Sequence, residues 1–229
     1  MKTKVSIPFM LAGILFTVCL IISNLLETKV IRLGFVTATA GLMVFPVSYI
    51  INDCIVEVWG YAKARLVIWI GFAVNFLVVG LTQLAILMPP APYWEGEAAF
   101  NFVFGLSARI VVGSLCAFLV GSFINAWVMS RMKVLSDGKY FSLRAIVSTL
   151  AGESADSIIF FPIAFAGIIS WDNLLVLMAT QIVLKSLYEV LVLPLTIRIV
   201  RVIKRIDGCD AYDRHISFNP FELSSRDGD

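Results

Sequence analysis

Six stretches of this chain, at about residues 7–26, 37–57, 65–88, 107–129, 145–169 and 173–199, are largely apolar, and each is long enough to cross a bilayer as a helix. A helix rises about 1.5 Å per residue, so a hydrocarbon core about 30 Å thick needs roughly 20 such residues. Backbone N–H and C=O groups find no water there, and the helix pairs them within its own segment. The expected fold class is therefore all-α, a polytopic membrane protein with six transmembrane helices. The charged fraction agrees: it is 15% of the chain, against roughly a quarter in soluble domains. The longest external connection, "PPAPYWEGEAAFN", is too short for a soluble domain. Residues 1–205 read as one six-helix transmembrane domain and residues 206–229 as a cytoplasmic C-terminal tail.

The first run follows the basic start "MKTK" as a signal peptide would. Its apolar stretch of about 19 residues is long for a signal peptide and no small-residue cleavage site follows, so it reads as a retained span. Lys and Arg set the orientation. With both termini inside, the inner side carries Lys2, Lys4, Lys63, Arg65, Arg131, Lys133, Lys139, Arg144, Arg198, Arg201, Lys204 and Arg205. The outer loops carry Lys29 and Arg32, with Arg109 at an outer span edge. Cationic residues stay on the cytoplasmic side, so the expected topology is N-in and C-in. A net charge of +2 gives no footprint for nucleic acid. The cysteines form no C-x-x-C pair and the one histidine, His215, lies in the tail, so no metal, cofactor or catalytic triad is expected.

Polar residues inside the spans are the informative ones. Asp53 and Glu57 are four apart in the second span and share a face with Tyr49. Glu153 and Asp156 are three apart in the fifth, and Lys185, Tyr188 and Glu189 are neighbours in the sixth. The fourth span repeats every four residues through Arg109, Gly113, Ala117, Gly121 and Asn125. Its small-residue stripe lets helices approach closely, within one chain or between two in a homodimer. Counting along the helices places Glu153 about 12 Å, Asp156 about 16 Å and Lys185 about 12 Å from the inner edge. These three are expected to be level. Asp53, Asn125 and Glu189 fall about 5–6 Å from that edge.

Five carboxylates (Asp53, Glu57, Glu153, Asp156, Glu189) point into the spans against one deep cation, Lys185. Such an interior either carries protons or receives a ligand rich in N–H donors. The plainer alternatives are a structural ion pair at Glu153, Asp156 and Lys185, an Arg109 that snorkels outward, and a Glu57 paired with Lys63, Arg65 or Arg144. Pro46 and Pro162 are expected to interrupt the second and fifth spans, as in helices that line a cavity. Those spans are central in a 3+3 division, which suggests inverted halves of the kind found in transporters.

The blocks "GFVTATAGLMVFPVSYIINDCIVEVWGYAKAR", "RIVVGSLCAFLVGSFINAWVMSRMK", "STLAGESADSIIFFPIAFAG", "KSLYEVLVLPLT" and "DAYDRHISFNPF" occur in this order. Together, over about residues 34 to 221, they resemble the bacterial queuosine-precursor transporter family, a vitamin-uptake type of membrane protein. Val56 and Trp59 depart from the Thr and Tyr usual in that family's second-span motif. The resemblance implies multi-pass residence in the inner membrane and import of 7-cyano-7-deazaguanine, with 7-aminomethyl-7-deazaguanine as a second candidate. Both are salvaged as precursors of the modified tRNA base queuosine.

The residue chemistry suits such a cargo. A guanine-type edge presents a ring N–H beside an exocyclic NH2, and one ionised carboxylate accepts both. Glu153 or Asp156 is expected to read that edge while Lys185 neutralises the other acid. Phe45, Tyr49, Trp127, Phe160 and Phe161 are candidate aromatic walls. Lys185, Asn125 or Arg109 would donate to the ring carbonyl. Asp53 belongs to the binding set on its inner side, towards the exit, and Glu57, Arg109 and Glu189 are expected to gate or couple transport. Three rivals stand beside this reading. An intramembrane aspartyl protease would need a Gly-x-Gly-Asp pattern, and "GESAD" lacks one. A binding subunit energised by a separate ATPase fits the size, because this chain has no G-x-x-x-x-G-K-[ST] loop of its own. A structural scaffold would tolerate neutral replacement of the deep acids.

Overall fold

A computed structural model describes residues 6–26, 28–33, 36–105, 108–168, 170–214 and 216–222. Its helices are α1 (Ile7–Leu26), α2 (Phe45–Trp59), α3 (Tyr61–Leu87), α4 (Glu97–Phe104), α5 (Ala108–Leu135), α6 (Phe141–Phe165) and α7 (Trp171–Asp207). Among the described residues six segments are long and apolar enough to cross a membrane: Ile7–Leu26, Ala40–Trp59, Tyr61–Leu87, Ile110–Leu135, Phe141–Phe165 and Trp171–Asp207. They coincide with the six expected spans. The main shift is at two C-terminal helix ends, where α5 runs on to Leu135 and α7 to Asp207. At 37 residues, α7 is about 55 Å long. It outreaches the hydrocarbon and carries Arg198, Arg201, Lys204 and Arg205 in its last turns.

Two connections hold structure that the apolar pattern does not announce. Residues expected to begin the second span form a ribbon instead. Strand β1 (Val30–Leu33) pairs antiparallel with β2 (Val36–Thr39), and a 3₁₀ turn at Ala40–Met43 leads into α2. Pro46 therefore sits in the first turn of α2 rather than interrupting it. A first-turn residue has no intrahelical acceptor for its N–H, so proline loses nothing there. Pro162 does lie inside α6, within its last turn. The acidic loop between α3 and α5 holds α4, tethered by the Gln83 amide donating to Phe104 O at 2.8 Å.

Helix α2 is the central stave. Twelve of its 15 residues are buried, so its polar side chains must find partners on the helices around it. One face carries Phe45, Tyr49, Asp53 and Glu57 at four-residue spacing, each about 6 Å further along the axis. Helices α1, α3, α5, α6 and α7 all pack against it. Phe16, Leu20, Ile55, Ile68, Phe118 and Met129 fill the apolar space between α1, α2, α3 and α5.

The small-residue stripe of α5 packs on α6 within the chain. A Cβ at Gly121 would sit 3.0 Å from Gly152 O, and one at Gly152 would sit 2.9 Å from Gly121 O. The two backbones meet where neither helix has a side chain, and Tyr49 of α2 lies across the crossing. Gly113 faces Ile163 and Phe160 in the same way. Overpacking a close-packed interior costs about 1–3 kcal/mol. Gly152→Val is therefore expected to lower the melting midpoint of the solubilised protein by several degrees, roughly 2–4 °C per kcal/mol at this size, measured by thermal unfolding in detergent.

The start of α1 and the end of α7 lie at one end of the bundle. Ser6 Oγ donates to Asp207 Oδ2 at 2.5 Å, and Trp59 Nε1 donates to the same oxygen at 2.8 Å. Beyond α7 the chain folds back as a strap over that end. Ala211 N donates to Val58 O at 3.1 Å, and Asp213 accepts from Tyr61 N at 2.9 Å and Ser130 Oγ at 2.6 Å. Arg65 donates to Ser217 O and Asn219 O, and Trp69 Nε1 to Pro220 O at 2.7 Å. The Phe218 ring lies 5.0 Å from that of Tyr61, under the Arg131 guanidinium. The "FNPF" segment is thus docked on α3 and α5. Gly60, between α2 and α3, has φ +83° and no room for a Cβ, which would meet Asp213 Oδ1 at 2.7 Å.

Candidate functional site

The polar interior is built in three layers along α2. In the first, Lys185 of α7 reaches between the two acids of α6. Its Nζ lies 2.8 Å from Glu153 Oε2 and 3.6 Å from Asp156 Oδ2, and 3.9 Å from the centre of the Phe45 ring. The spacing of the acids explains this: residues three apart on a helix share a face. The structure brings the three together at a cavity of about 60 Å³. Asp156 and Lys185 line it with Phe45, Phe160 and Phe161, and the rings of Phe160 and Phe161 stand nearly edge-on at 76°. Glu153 is fully buried behind Lys185.

Three lining residues were not singled out from the sequence: Asn24 of α1, Ser114 of α5 and Gln181 of α7. Asn24 donates to Asn75 Oδ1 at 3.1 Å and accepts from Ser114 Oγ at 3.3 Å. The signal for Gln181 was present, since it precedes Lys185 by four residues and shares its face. Of the expected aromatic walls, Trp127 is a correction. It is 46% exposed on the outside of the bundle, because its position on α5 lies off the Gly113–Ala117–Gly121 face that meets α6. Tyr49 packs against Phe45 with tilted rings, centroids 5.7 Å apart, and forms the layer beneath the cavity. The Arg109 side chain lies outside the described residues.

The second layer contains Asp53, Asn125 and Glu189, which do not line the cavity. Ser148 Oγ lies 3.2 Å from both Asp53 oxygens, and Asn52 Nδ2 donates to Asn125 Oδ1 at 2.7 Å. The Glu189 carboxyl faces Asp53 and Thr149, with Glu153 next along.

The third layer corrects the charge count. Glu57 is not an uncompensated acid. Arg144 clasps it with both terminal nitrogens at 2.5 and 3.2 Å, Lys204 lies at 2.6 Å and Lys133 at 3.8 Å. The pairing with Arg144 was one of three expected options. Lys133 and Arg144 lie within α5 and α6 and are nearly fully buried. Both had been counted beyond the span ends, because α5 continues past 129 and α6 begins at Phe141. Asp210 of the strap closes the cluster, paired with Lys133 and, at 2.8 Å, with Lys204. Partial burial alone would push the Asp210 carboxyl up, but the hydrogen bonds and charges of Lys133 and Lys204 hold it below the usual carboxylate range.

A larger groove of about 500 Å³ runs between α1 and α3, lined by Met10, Ile14, Val18, Leu66 and Ile70 among others. Its lining is apolar apart from Thr17, whose hydroxyl is bonded to Gly13 O at 3.0 Å. It suits hydrocarbon and offers nothing to a polar ligand. The polar cavity at Asp156 and Lys185 is the candidate site.

Comparisons with known proteins bear on that site. Residues 39–199 match the family described as "Putative vitamin uptake transporter". The chain is 28% identical over 179 residues to the "Probable queuosine precursor transporter" of Bacillus subtilis (strain 168), spanning 78% of this chain and 77% of that protein. It is 29% identical over 141 residues to the "Queuosine precursor transporter" of Escherichia coli (strain K12), spanning 62% and 61% respectively. A "Probable queuosine precursor transporter" of Haemophilus influenzae (strain ATCC 51907 / DSM 11121 / KW20 / Rd) is 27% identical over 129 residues, 56% of this chain and 52% of that one. No solved structure matches. The matched residues run from the ribbon before α2 into α7 and contain every charged residue of the polar cavity. With well over half its length matched and six membrane-length helices around that interior, the chain belongs to the "Putative vitamin uptake transporter" family.

Proposed function

We propose that this protein carries queuosine precursors of the 7-deazaguanine class across a bacterial inner membrane, with both termini in the cytoplasm. The names of its relatives support the cargo class, and the lysine and arginine distribution supports the orientation. The observation that carries the reading is the pairing at the cavity. Lys185 is nearer to Glu153 than to Asp156, and of the two acids Asp156 lines the cavity. Asp156 is then the acceptor for the ring N–H and exocyclic NH2 of the base, and Glu153 is the counter-ion that fixes Lys185. Phe160, Phe161 and Phe45 supply faces and edges for a planar ring. Lys185 or Gln181 donates to the ring carbonyl.

A cavity of about 60 Å³ is well below the roughly 300 Å³ at the low end of ligand sites. The form described is therefore closed, and cargo enters when helices part. Helix α6 has the local means for this. Pro162 removes one backbone donor, and Ser154 bonds back to Leu150 O at 2.6 Å, a contact that bends helices.

Uptake of labelled 7-cyano-7-deazaguanine into liposomes containing the purified protein tests the reading. Hydrogen bonds to a charged group contribute about 1.5–3 kcal/mol. Asp156→Asn is thus expected to raise the half-saturating concentration about 10- to 100-fold, and Glu153→Gln to reduce uptake by releasing Lys185. Wild-type uptake no faster than in empty liposomes removes the cargo assignment. Wild-type rates in both variants remove the site assignment.

A further inference from the structure

With Glu57 neutralised by its own cations, four buried acids remain around one cation: Asp53, Glu153, Asp156 and Glu189 against Lys185. Lys185 is engaged by the two acids of α6, which leaves Asp53 and Glu189 to each other. Both acids are buried where α2 packs on α7, and the Ser148 hydroxyl donates to Asp53. Two buried carboxylates that share a site with no cation between them do not both stay ionised, so the pair holds a proton. A second observation points the same way. Glu189 Oε2 is buried without a hydrogen-bond partner, beside Thr149. Thr149 is 1% exposed and Glu189 3%. The other ionisable groups facing this pair are Glu57 and Cys54 on α2 and Glu153 on α6, with Arg144 beyond Glu57 and Lys185 beyond Glu153. None of those facing the pair directly is a cation. Among the described residues no group of three or more His, Cys, Asp and Glu is placed to hold a metal ion.

We infer that the Asp53–Glu189 pair is a proton-binding site, distinct from the cargo cavity, and that one proton accompanies each base imported. The proton is taken from the outer water, held on one carboxyl oxygen of the pair, and released to the inner water after the base. Coupling needs no long wire. The pair adjoins Glu153, Glu153 holds Lys185, and Lys185 faces Asp156 at the cavity. A proton on Glu189 weakens the field on Glu153 and so changes how Lys185 divides itself between the two acids of α6. Tyr49, one turn of α2 from both Phe45 and Asp53, separates the two sites.

The inference rests on the transport reading, so its test has one readout that needs no cargo. Infrared difference spectra of the wild type against Asp53→Asn and Glu189→Gln are expected to contain a protonated-carboxyl band that each variant lacks. In proteoliposomes with acid outside, the wild type is expected to accumulate labelled 7-cyano-7-deazaguanine, and each variant to lose that accumulation at least tenfold. For Glu189→Gln, exchange of internal for external base without a gradient is expected to stay within about twofold. Accumulation that follows a sodium gradient, or variants that keep the pH response, overturn the inference. If the wild type exchanges no base at all, the cargo reading falls and the infrared band alone decides the proton site.

Discussion

Replacing Glu57 by glutamine is expected to lower the melting midpoint of the detergent-solubilised protein by on the order of 10 °C. Three cations, Arg144, Lys204 and Lys133, converge on this one carboxylate, and two of them are almost wholly buried. A buried ion group owes its stability to complete pairing. Its desolvation cost is already paid by every member, so removing one partner leaves the others charged and unmatched, at about 3–5 kcal/mol. For a chain of this size that corresponds to a shift near 10 °C. Asp210 of the strap cannot take over, since it already serves Lys133 and Lys204. The companion variant carrying both Glu57→Gln and Arg144→Met is expected to recover part of the loss, because it removes an opposite charge from the same site; the size of the recovery measures the coupling directly. This also separates two roles for Glu57. A variant that melts like the wild type yet transports nothing would make Glu57 a gate rather than a fastener of the inner end.

Lys185→Met is expected to reduce precursor uptake about 100-fold while leaving the protein extractable and folded. Methionine keeps most of the lysine stem, so packing against Phe45 persists. What goes is the charge that lies 2.8 Å from Glu153 and 3.6 Å from Asp156. Two buried carboxylates then face each other with no cation between them, and Asp156, the acceptor proposed for the base, is no longer held apart from its neighbour. The loss of one or two charge-assisted hydrogen bonds, about 1.5–3 kcal/mol each, brings the rate to the stated level. Lys185→Arg is expected to recover little, because a planar fork does not occupy the position of a point charge. Measured uptake by Lys185→Met at the wild-type half-saturation would show that the cation lies outside the binding step.

What the sequence made legible follows from the range of the forces involved. Spans were readable because the bilayer imposes a length, and a run of apolar residues records it locally. The grouping of Glu153, Asp156 and Lys185 was readable because residue spacing fixes faces and rise per residue fixes depth, even across two helices of opposite direction. Contacts that depend on where a helix stops were less readable. Arg144 and Lys133 looked like membrane-edge charges until the longer α5 and the earlier start of α6 drew them inside. Trp127 looked like a wall, since nothing local tells which face of α5 meets α6. Asn24, Ser114 and Gln181 carry no charge, so their cost in an apolar run is small and their signal faint. The ribbon at residues 30–39 and helix α4 are short elements held by the bundle, and hydropathy has no term for them.

The ion cluster around Glu57 also orders the birth of the molecule. A nascent chain emerges from its N-terminus, so Glu57 enters the membrane long before Lys133, Arg144 or Lys204 exist. Asp210 and the strap that lies over α3 and α5 follow later still. Until they arrive, the central stave carries an acid without its clasp and a bare face where Tyr61 and Trp69 await Phe218 and Phe221. Fastening of the central stave thus waits on residues made well after it: a product that stops short of residue 204 has every described helix begun and α2 without the Lys204 contact to Glu57.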